Sequence, residues 1–244
     1  MEGYGVFELR DVPTKYGNVH VSRRRGEGKK LLLIHGLASS MKTWSRFVGF
    51  MPKNTDLCMI DLLGHGLSDS PRMDYTLDTQ LYILKKVIET EEFDNAYLMG
   101  HSYGGWIATA YAMSNSVNGL ILEDAAGLKE FYDNVRGTEE REALKKKMLH
   151  TALELGAKEH VIKSILDDEF RDGQLTEDDF SRIKTHALII WGENDQVIDP
   201  AFAQIFHNRM EGSEVVIIKG SKHTPHFTNP EDVAREVERF ISKT

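Results

Sequence analysis

The stretch Tyr97-Leu98-Met99-Gly100-His101-Ser102-Tyr103-Gly104-Gly105-Trp106 restricts the fold of this chain more than any other. A short apolar run leads into Gly-His-Ser-Tyr-Gly, and an Ala-rich segment follows with Ile107, Ala108, Ala110 and Ala112. The pattern reads as strand, G-x-S-x-G, helix, the context in which a tight turn lifts a serine hydroxyl clear of a sheet edge. Such a turn puts unusual backbone angles on Ser102, and side chains at Gly100 and Gly104 would collide with the adjoining strand and helix. The helix that begins beside the serine points its first free N–H groups at whatever the hydroxyl attacks. The five-residue motif alone is a weak signal, because glycine and serine are common in ordinary turns. Its flanks give it weight.

A chain of 244 residues suits one large domain, or one domain with an insertion, and can bury its core without disulfide staples. Its one cysteine, Cys58, lies in the apolar run Leu57-Cys58-Met59-Ile60 and is expected to be a buried thiol in a reducing compartment. The formal net charge is −8, and the basic runs Arg23-Arg24-Arg25 and Lys145-Lys146-Lys147 are expected to be solvated faces. Nucleic acid is therefore not an expected partner. The start, Met1-Glu2-Gly3-Tyr4, lacks the charged-then-apolar order of a signal sequence, and no apolar run approaches a membrane span. The expectation is a soluble cytoplasmic protein with no membrane partner.

Two strands are expected between Gly5 and Ser22, around a turn at Lys15-Tyr16-Gly17-Asn18. Leu31–Gly36, Leu57–Asp61, Tyr97–Met99, Gly119–Leu122, Ala187–Gly192 and Val215–Ile218 have the length and apolarity of strands buried on both faces. Helices are expected at Trp44–Met51, stopped by Pro52, at Leu77–Ile88, after the serine turn, at Ala201–Met210 and at Pro230–Ile241. The alternation predicts an α/β fold, a mostly parallel sheet with helices on both faces. Ligands bind at the carboxyl ends of such strands, where His35, Asp61, Ser102, Asp124 and Asp195 fall. From 128 to 184 charged residues dominate and apolar ones recur at helical spacing (Leu144, Met148, Ala152, Leu155; then Val161, Ile165, Leu166). Gly156 reads as a helix end and Thr176-Glu177-Asp178-Asp179 as a capped start. Residues 128–184 are thus expected to be an inserted helical lid, with residues 1–127 and 185–244 forming the core.

A serine hydroxyl needs a base within hydrogen-bond reach, and the base needs a carboxylate that fixes its tautomer. Ser102, Asp195 and His223 supply these in the chain order that suits this turn. Glu193, Asp199, Glu123 and Asp124 are the competing acids; Asp199 precedes Pro200 and reads as a helix-start residue. His226 is expected to bind the backbone or line the pocket, and His101, beside the serine, cannot easily turn back to act as its base. A tetrahedral intermediate needs donors at its negative oxygen, and the N–H groups of Leu37 and Tyr103 are the natural pair. The pair His223-x-x-His226 lacks helical i, i+4 spacing, so no metal site is expected.

With these residues in view the chain resembles the alpha/beta-hydrolase superfamily, in particular its serine hydrolases with a helical lid. The resemblance runs from about Gly28 to the C-terminus. It rests on His35-Gly36-Leu37, the Asp61–Asp69 loop, Gly100–Gly105, the Gly192–Asp195 loop and Lys222-His223-Thr224-Pro225. It implies an eight-stranded sheet, a triad of Ser102, Asp195 and His223, an oxyanion hole from Leu37 and Tyr103, and no cofactor. Dehalogenase and epoxide-hydrolase relatives carry aspartate where this chain has Ser102. The His-Gly-Gly-Pro-Gly loop of proline iminopeptidases and the His-Gly-Gly-Gly loop of hormone-sensitive-lipase relatives are both missing. The remaining expectation is a carboxylesterase acting on a small-molecule ester. Carbon–carbon bond hydrolysis, acyl transfer and a slow-turnover ligand-binding receptor stand as alternatives on the same residues, and the final strand and helix could support a homodimer.

Overall fold

The computed structural model describes residues 6–133, 137–170 and 174–243. Eight strands form one sheet: β1 (Glu8–Thr14), β2 (Gly17–Arg24), β3 (Lys30–Ile34), β4 (Asp56–Ile60), β5 (Tyr97–His101), β6 (Gly119–Glu123), β7 (Ala187–Gly192) and β8 (Glu214–Ile218). Their order is β1-β2-β4-β3-β5-β6-β7-β8. The β1–β2 and β2–β4 pairs are antiparallel and the other five are parallel. The first hairpin turns on Lys15-Tyr16, because Thr14 pairs with Gly17; Asn18, expected in the bend, lies inside β2.

The apolar runs are strands because alternate residues must satisfy two different cores. Leu32, Ile34, Leu98, Leu120, Leu122 and Ile189 face one layer, packed by helices α1 (Leu77–Glu91), α2 (Tyr103–Ala112) and, across the central insertion, α7 (Ala201–Arg209). Leu31, Leu33, Tyr97, Met99, Ile121 and Leu188 face the other, covered by Trp44, Phe47 and the closing helix. The segment expected to be a helix at Trp44–Met51 is two 3₁₀ turns, Met41–Ser45 and Phe47–Gly49.

The insertion contributes α3 (Lys129–Asp133), α4 (Thr138–Glu154), α5 (Glu159–Glu169) and α6 (Glu177–Phe180). Among its described residues no strand joins the sheet, and an isolated bridge between Leu128 and Leu175 ties its two ends together. Gly156 closes the α4 turn at φ +83°, as expected of a helix end. Helix α5 is pinned to the core by two hydrogen bonds: Tyr75 N–H donates to Ser164 Oγ (2.7 Å) and Leu77 N–H to Asp168 Oδ2 (2.7 Å). After β8 come a single turn, α8 (Pro225–Thr228), and the closing helix α9 (Pro230–Lys243), whose Val233, Val237, Phe240 and Ile241 stripe is buried. Among the described residues no helix is long and apolar enough to cross a membrane.

The basic run at 23–25 corrects the sequence expectation. Arg23 and Arg24 are buried, and only Arg25 is exposed. Arg23 clamps Asp56 with two hydrogen bonds (2.9 and 2.7 Å), donates to the Glu91 carbonyl (2.7 Å) and stacks on Phe93. Arg24 donates to the Pro52 carbonyl (2.7 Å). A run of three like charges looks solvated in sequence, but strand alternation and the edge of a buried layer decide otherwise. Cys58 is buried, and burial pushes its thiol up to about 12.

Two strand-end groups staple loops. Asp61 accepts the N–H groups of Met41 (2.6 Å) and Leu67 (2.8 Å). His35 donates from Nδ1 to the Gly36 carbonyl (2.7 Å) and accepts the Leu62 N–H at Nε2 (3.1 Å), with the His65 ring 5.2 Å away. Burial lowers His35 to about 4; burial and then His35 lower His65 to about 3.

Loss of the Arg23 guanidinium strands the buried Asp56 carboxylate, whereas Glu91 keeps Arg10 (2.9 Å). Arg23→Ala is therefore expected to cost about 3–5 kcal/mol of stability in urea unfolding, and Arg25→Ala less than about 0.5 kcal/mol. A second expectation concerns acid. His35 and His65 stay neutral in the fold yet take up protons once unfolded below about pH 6.5, so the unfolded state binds more protons there. Stability should fall as the pH drops from about 6.5 towards the lowered folded values. Urea midpoints measured across that window should show the slope, and His65→Phe should reduce it.

Candidate active site

Strand β5 runs straight into the serine turn. Ser102 sits at φ 51° and ψ −117°, a strained conformation for a residue with a side chain. A Cβ added at Gly100 would fall on the Gly104 carbonyl, and one at Gly104 on the carbonyl oxygens of Ile34 and His35. The collisions expected from the motif are therefore real, and the neighbouring strand that sets them is β3. The turn is held by its own backbone. Ser102 N–H donates to Glu123 O (3.0 Å), and Ser102 O accepts from Gly105 (2.9 Å), Trp106 (3.2 Å) and Ala126 (3.0 Å).

The structure brings Ser102, His223 and Asp195 together. His223 Nδ1 lies 2.7 Å from Asp195 Oδ2, and His223 Nε2 lies 3.2 Å from Ser102 Oγ. Because a carboxylate can only accept, the proton is on Nδ1, and Nε2 presents its lone pair to the serine hydroxyl. Asp195 Oδ1 is fixed by the N–H groups of Val197 (2.7 Å) and Ile198 (3.1 Å). Ser102 and His223 are partly exposed, whereas Asp195 is buried. The serine hydroxyl and the imidazole are thus open to a ligand, with the carboxylate behind them.

The other candidates are sorted by their partners. His101 does not face back toward the serine hydroxyl as a base; its Nε2 donates to the His223 carbonyl (2.6 Å) and so fixes the loop that carries the base. Burial, followed by His226 and His223, keeps His101 well below the usual histidine range. Asp199 accepts the Ala201 N–H (2.8 Å), as a helix-start residue does. Glu193 accepts the Gly220 N–H (2.8 Å). His226, expected to bind the backbone or line a pocket, is fully buried and does neither. Its N–H and Nδ1–H both go to the Glu123 carboxylate (2.6 and 2.5 Å), its Nε2 accepts from Thr43 Oγ1 (2.6 Å), and its ring stacks on Trp44 at 4.2 Å.

Sequence reasoning missed the roles of Glu123 and Thr43 in this anchor. The available signal was a glutamate closing a strand buried along its whole length (Gly119–Glu123), a position that demands a partner. Asp124 follows at φ 44°, fully buried, with Oδ1 accepting the Gly192 N–H (2.8 Å). Burial, and then Glu123, push its carboxyl up to about 10.

Among the described residues two groups could offer three metal ligands within 4.8 Å of one another: His101, Asp124 and His223, and His101, Glu123 and His226. Two of their three histidines are already committed, while His101 engages Nε2 alone and leaves Nδ1 without a hydrogen-bond partner among the described residues. His223 spends both ring nitrogens on Asp195 and Ser102, and His226 spends both on Glu123 and Thr43.

An apolar cluster joins the insertion to the loop after β3. Tyr132, Ala152, Ile162, Leu166 and Phe170 form its buried part, and Leu37, Ala38, Phe131 and Met148 pack against it. A cavity of about 410 Å³ lies beside it, between Ala38–Thr43, Gly64–Gly66, Leu155–Lys158 and Phe227.

Known proteins place this geometry in context. The chain is 28% identical to an uncharacterised protein of Mycobacterium tuberculosis, over 97% of this chain and 84% of that one. It is 24% identical to a monoacylglycerol lipase of Mus musculus, over 90% of this chain and 77% of that one. Its fold matches a thermophilic esterase from Thermogutta terrifontis with a TM-score of 0.79 at 18% identity, covering 97% of this chain and 98% of that one. A serine hydrolase involved in carbazole degradation matches with a TM-score of 0.80 at 23% identity, covering 98% and 100%. The model of the alpha/beta hydrolase family matches residues 31–236, and with an eight-stranded sheet of this order around the serine turn, the chain belongs to that family.

Proposed function

We propose that this hydrolase cleaves carboxylic esters of small molecules through an acyl-enzyme on Ser102. The observation that carries the reading is the continuous hydrogen-bonded line from Asp195 through His223 to the hydroxyl of a serine held on a strained turn. Ser102 Oγ attacks the ester carbonyl while His223 Nε2 takes its proton. His223 then gives that proton to the leaving alcohol, and Asp195 steadies the imidazolium that forms in between. Water, deprotonated by the same nitrogen, releases the acid and restores Ser102.

The developing oxyanion is assigned to the N–H groups of Leu37 and Tyr103. Tyr103 starts α2, so the helix N-terminus adds its partial positive charge there. Among the described residues neither N–H is spent on a protein acceptor. Residues 128–184 are assigned as the lid: the contact of Leu37 and Ala38 with the insertion's cluster supports a cover that excludes water and shapes an apolar acyl site. The lipase and esterase names among the similar proteins favour esters over the other bonds this triad can break.

Nitrophenol release from a short-chain nitrophenyl ester tests this. The wild type should turn over many times and Ser102→Ala not at all. Asp195→Asn should lose about four orders of magnitude in kcat by leaving His223 in the wrong tautomer. Turnover that survives Ser102→Ala would overturn the mechanism, and release that halts after one equivalent would point to a receptor.

A further inference from the structure

Asp124 is a second carboxyl placed against the acid of the triad, and the mechanism above gives it no part. It is fully buried at the end of β6 and shares two neighbours with Asp195: Gly192, whose N–H it takes and whose carbonyl takes the Asp195 N–H (3.2 Å), and His223, which puts the two carboxyls within reach of a hydrogen bond. One oxygen, Oδ1, accepts the Gly192 N–H (2.8 Å), while Oδ2 has no donor. The groups acting on it are Glu123 on its own strand and Asp195 on the β7 loop, with ring nitrogens of His101 and His223 within 4.8 Å of its carboxyl. Neither lysine nor arginine is among them.

Two carboxylates in contact inside a low-dielectric pocket cannot both stay ionised. Their donors decide which one keeps the charge. Asp195 holds three N–H donors, from Val197, Ile198 and His223, whereas Asp124 holds one. The charge therefore belongs on Asp195 and the proton on Asp124. The orphaned Oδ2 is then not an unmet acceptor but the atom that bears the hydrogen.

On the serine-hydrolase reading above, we propose that Asp124 is a neutral positioning residue whose carboxyl O–H donates to Asp195, making the acid of the triad a two-carboxyl unit with one charge. The added donor fixes the carboxylate that His223 reads and keeps the pair from sharing two negative charges when His223 is neutral. Burial pushes the Asp124 carboxyl in the same direction, up to about 10.

Infrared spectroscopy decides the protonation state without any substrate. At pH 8 the wild type should show a protonated-carboxyl band that disappears in Asp124→Asn. Carbonyl-¹³C aspartate in the unsubstituted protein should shift the same band, so the test survives a variant that fails to fold. Glu169, the other buried carboxyl raised by burial (to about 7), is a glutamate and stays unshifted. Kinetics give the second readout. Asp124→Val should lower kcat about tenfold with KM unchanged, the scale of one lost hydrogen bond. Asp124→Asn, which keeps a neutral donor, should restore most of it.

An absent aspartic-acid band, or an Asp124→Asn enzyme as impaired as Asp124→Val, would overturn the proposal. If the wild type hydrolyses no ester, the esterase reading fails while the infrared result still decides Asp124.

Discussion

The strained backbone at Ser102 is the constraint to which the rest of the molecule answers. A residue with a side chain at φ 51° and ψ −117° is stable only where its surroundings over-determine it. Here the carbonyl of that one residue takes three N–H groups, and its own N–H is drawn to the end of β6. The start of α2 leaves no room for a side chain at Gly100, and the end of β3 leaves none at Gly104. That closeness depends on strands buried along their whole length and packed on both faces. The two-layer core is thus the support of the turn as well as the source of stability.

Around the turn the protein concentrates titratable groups that would be costly one by one. Glu123, Asp124, Asp195, His101, His223 and His226 lie at the same edge, and all but His223 are buried. Four of them pair with one another, His223 with Asp195 and His226 with Glu123, while His101 and Asp124 each hold one backbone group. Adjacent residues of one strand end grip two different loops: Glu123 holds the segment after His223 through His226, and Asp124 holds the segment of Asp195 through Gly192. Loops are ordinarily the mobile parts of a fold, and two carboxyls at a strand end tie down the loops that carry His223 and Asp195.

What was legible in the sequence is what local pattern controls. The serine turn, the apolar strands and the chain order of Ser102, Asp195 and His223 each have a signature a few residues long, and the structure brings those three side chains into one hydrogen-bonded line. What was not legible depends on distant pairing. Nothing near His226 in sequence reveals Glu123, 103 positions away, or Thr43, 183 away. The buried state of Arg23 likewise needs Asp56 and Glu91, which β2 meets only once the antiparallel edge has formed. Where an α-helix was expected at Trp44–Met51 stand two 3₁₀ turns, Met41–Ser45 and Phe47–Gly49, the first entered where Asp61, 20 positions away, takes the N–H of Met41.

The pinning of α5 gives the insertion an unequal mechanical character. With Ser164 and Asp168 bonded to the entry of α1, and Val161 and Ile165 built into the main core, α5 belongs to the frame. Helix α4 fully buries only Ala152, and a Cβ added at Gly156 in its closing turn would meet nothing within 4 Å. Helix α4 is therefore tied to the molecule chiefly through α5, by the Lys145–Asp167 ion pair and by Leu144, Met148 and Leu149 in the insertion's own apolar cluster, so whatever α4 covers is positioned at second hand, through its neighbour.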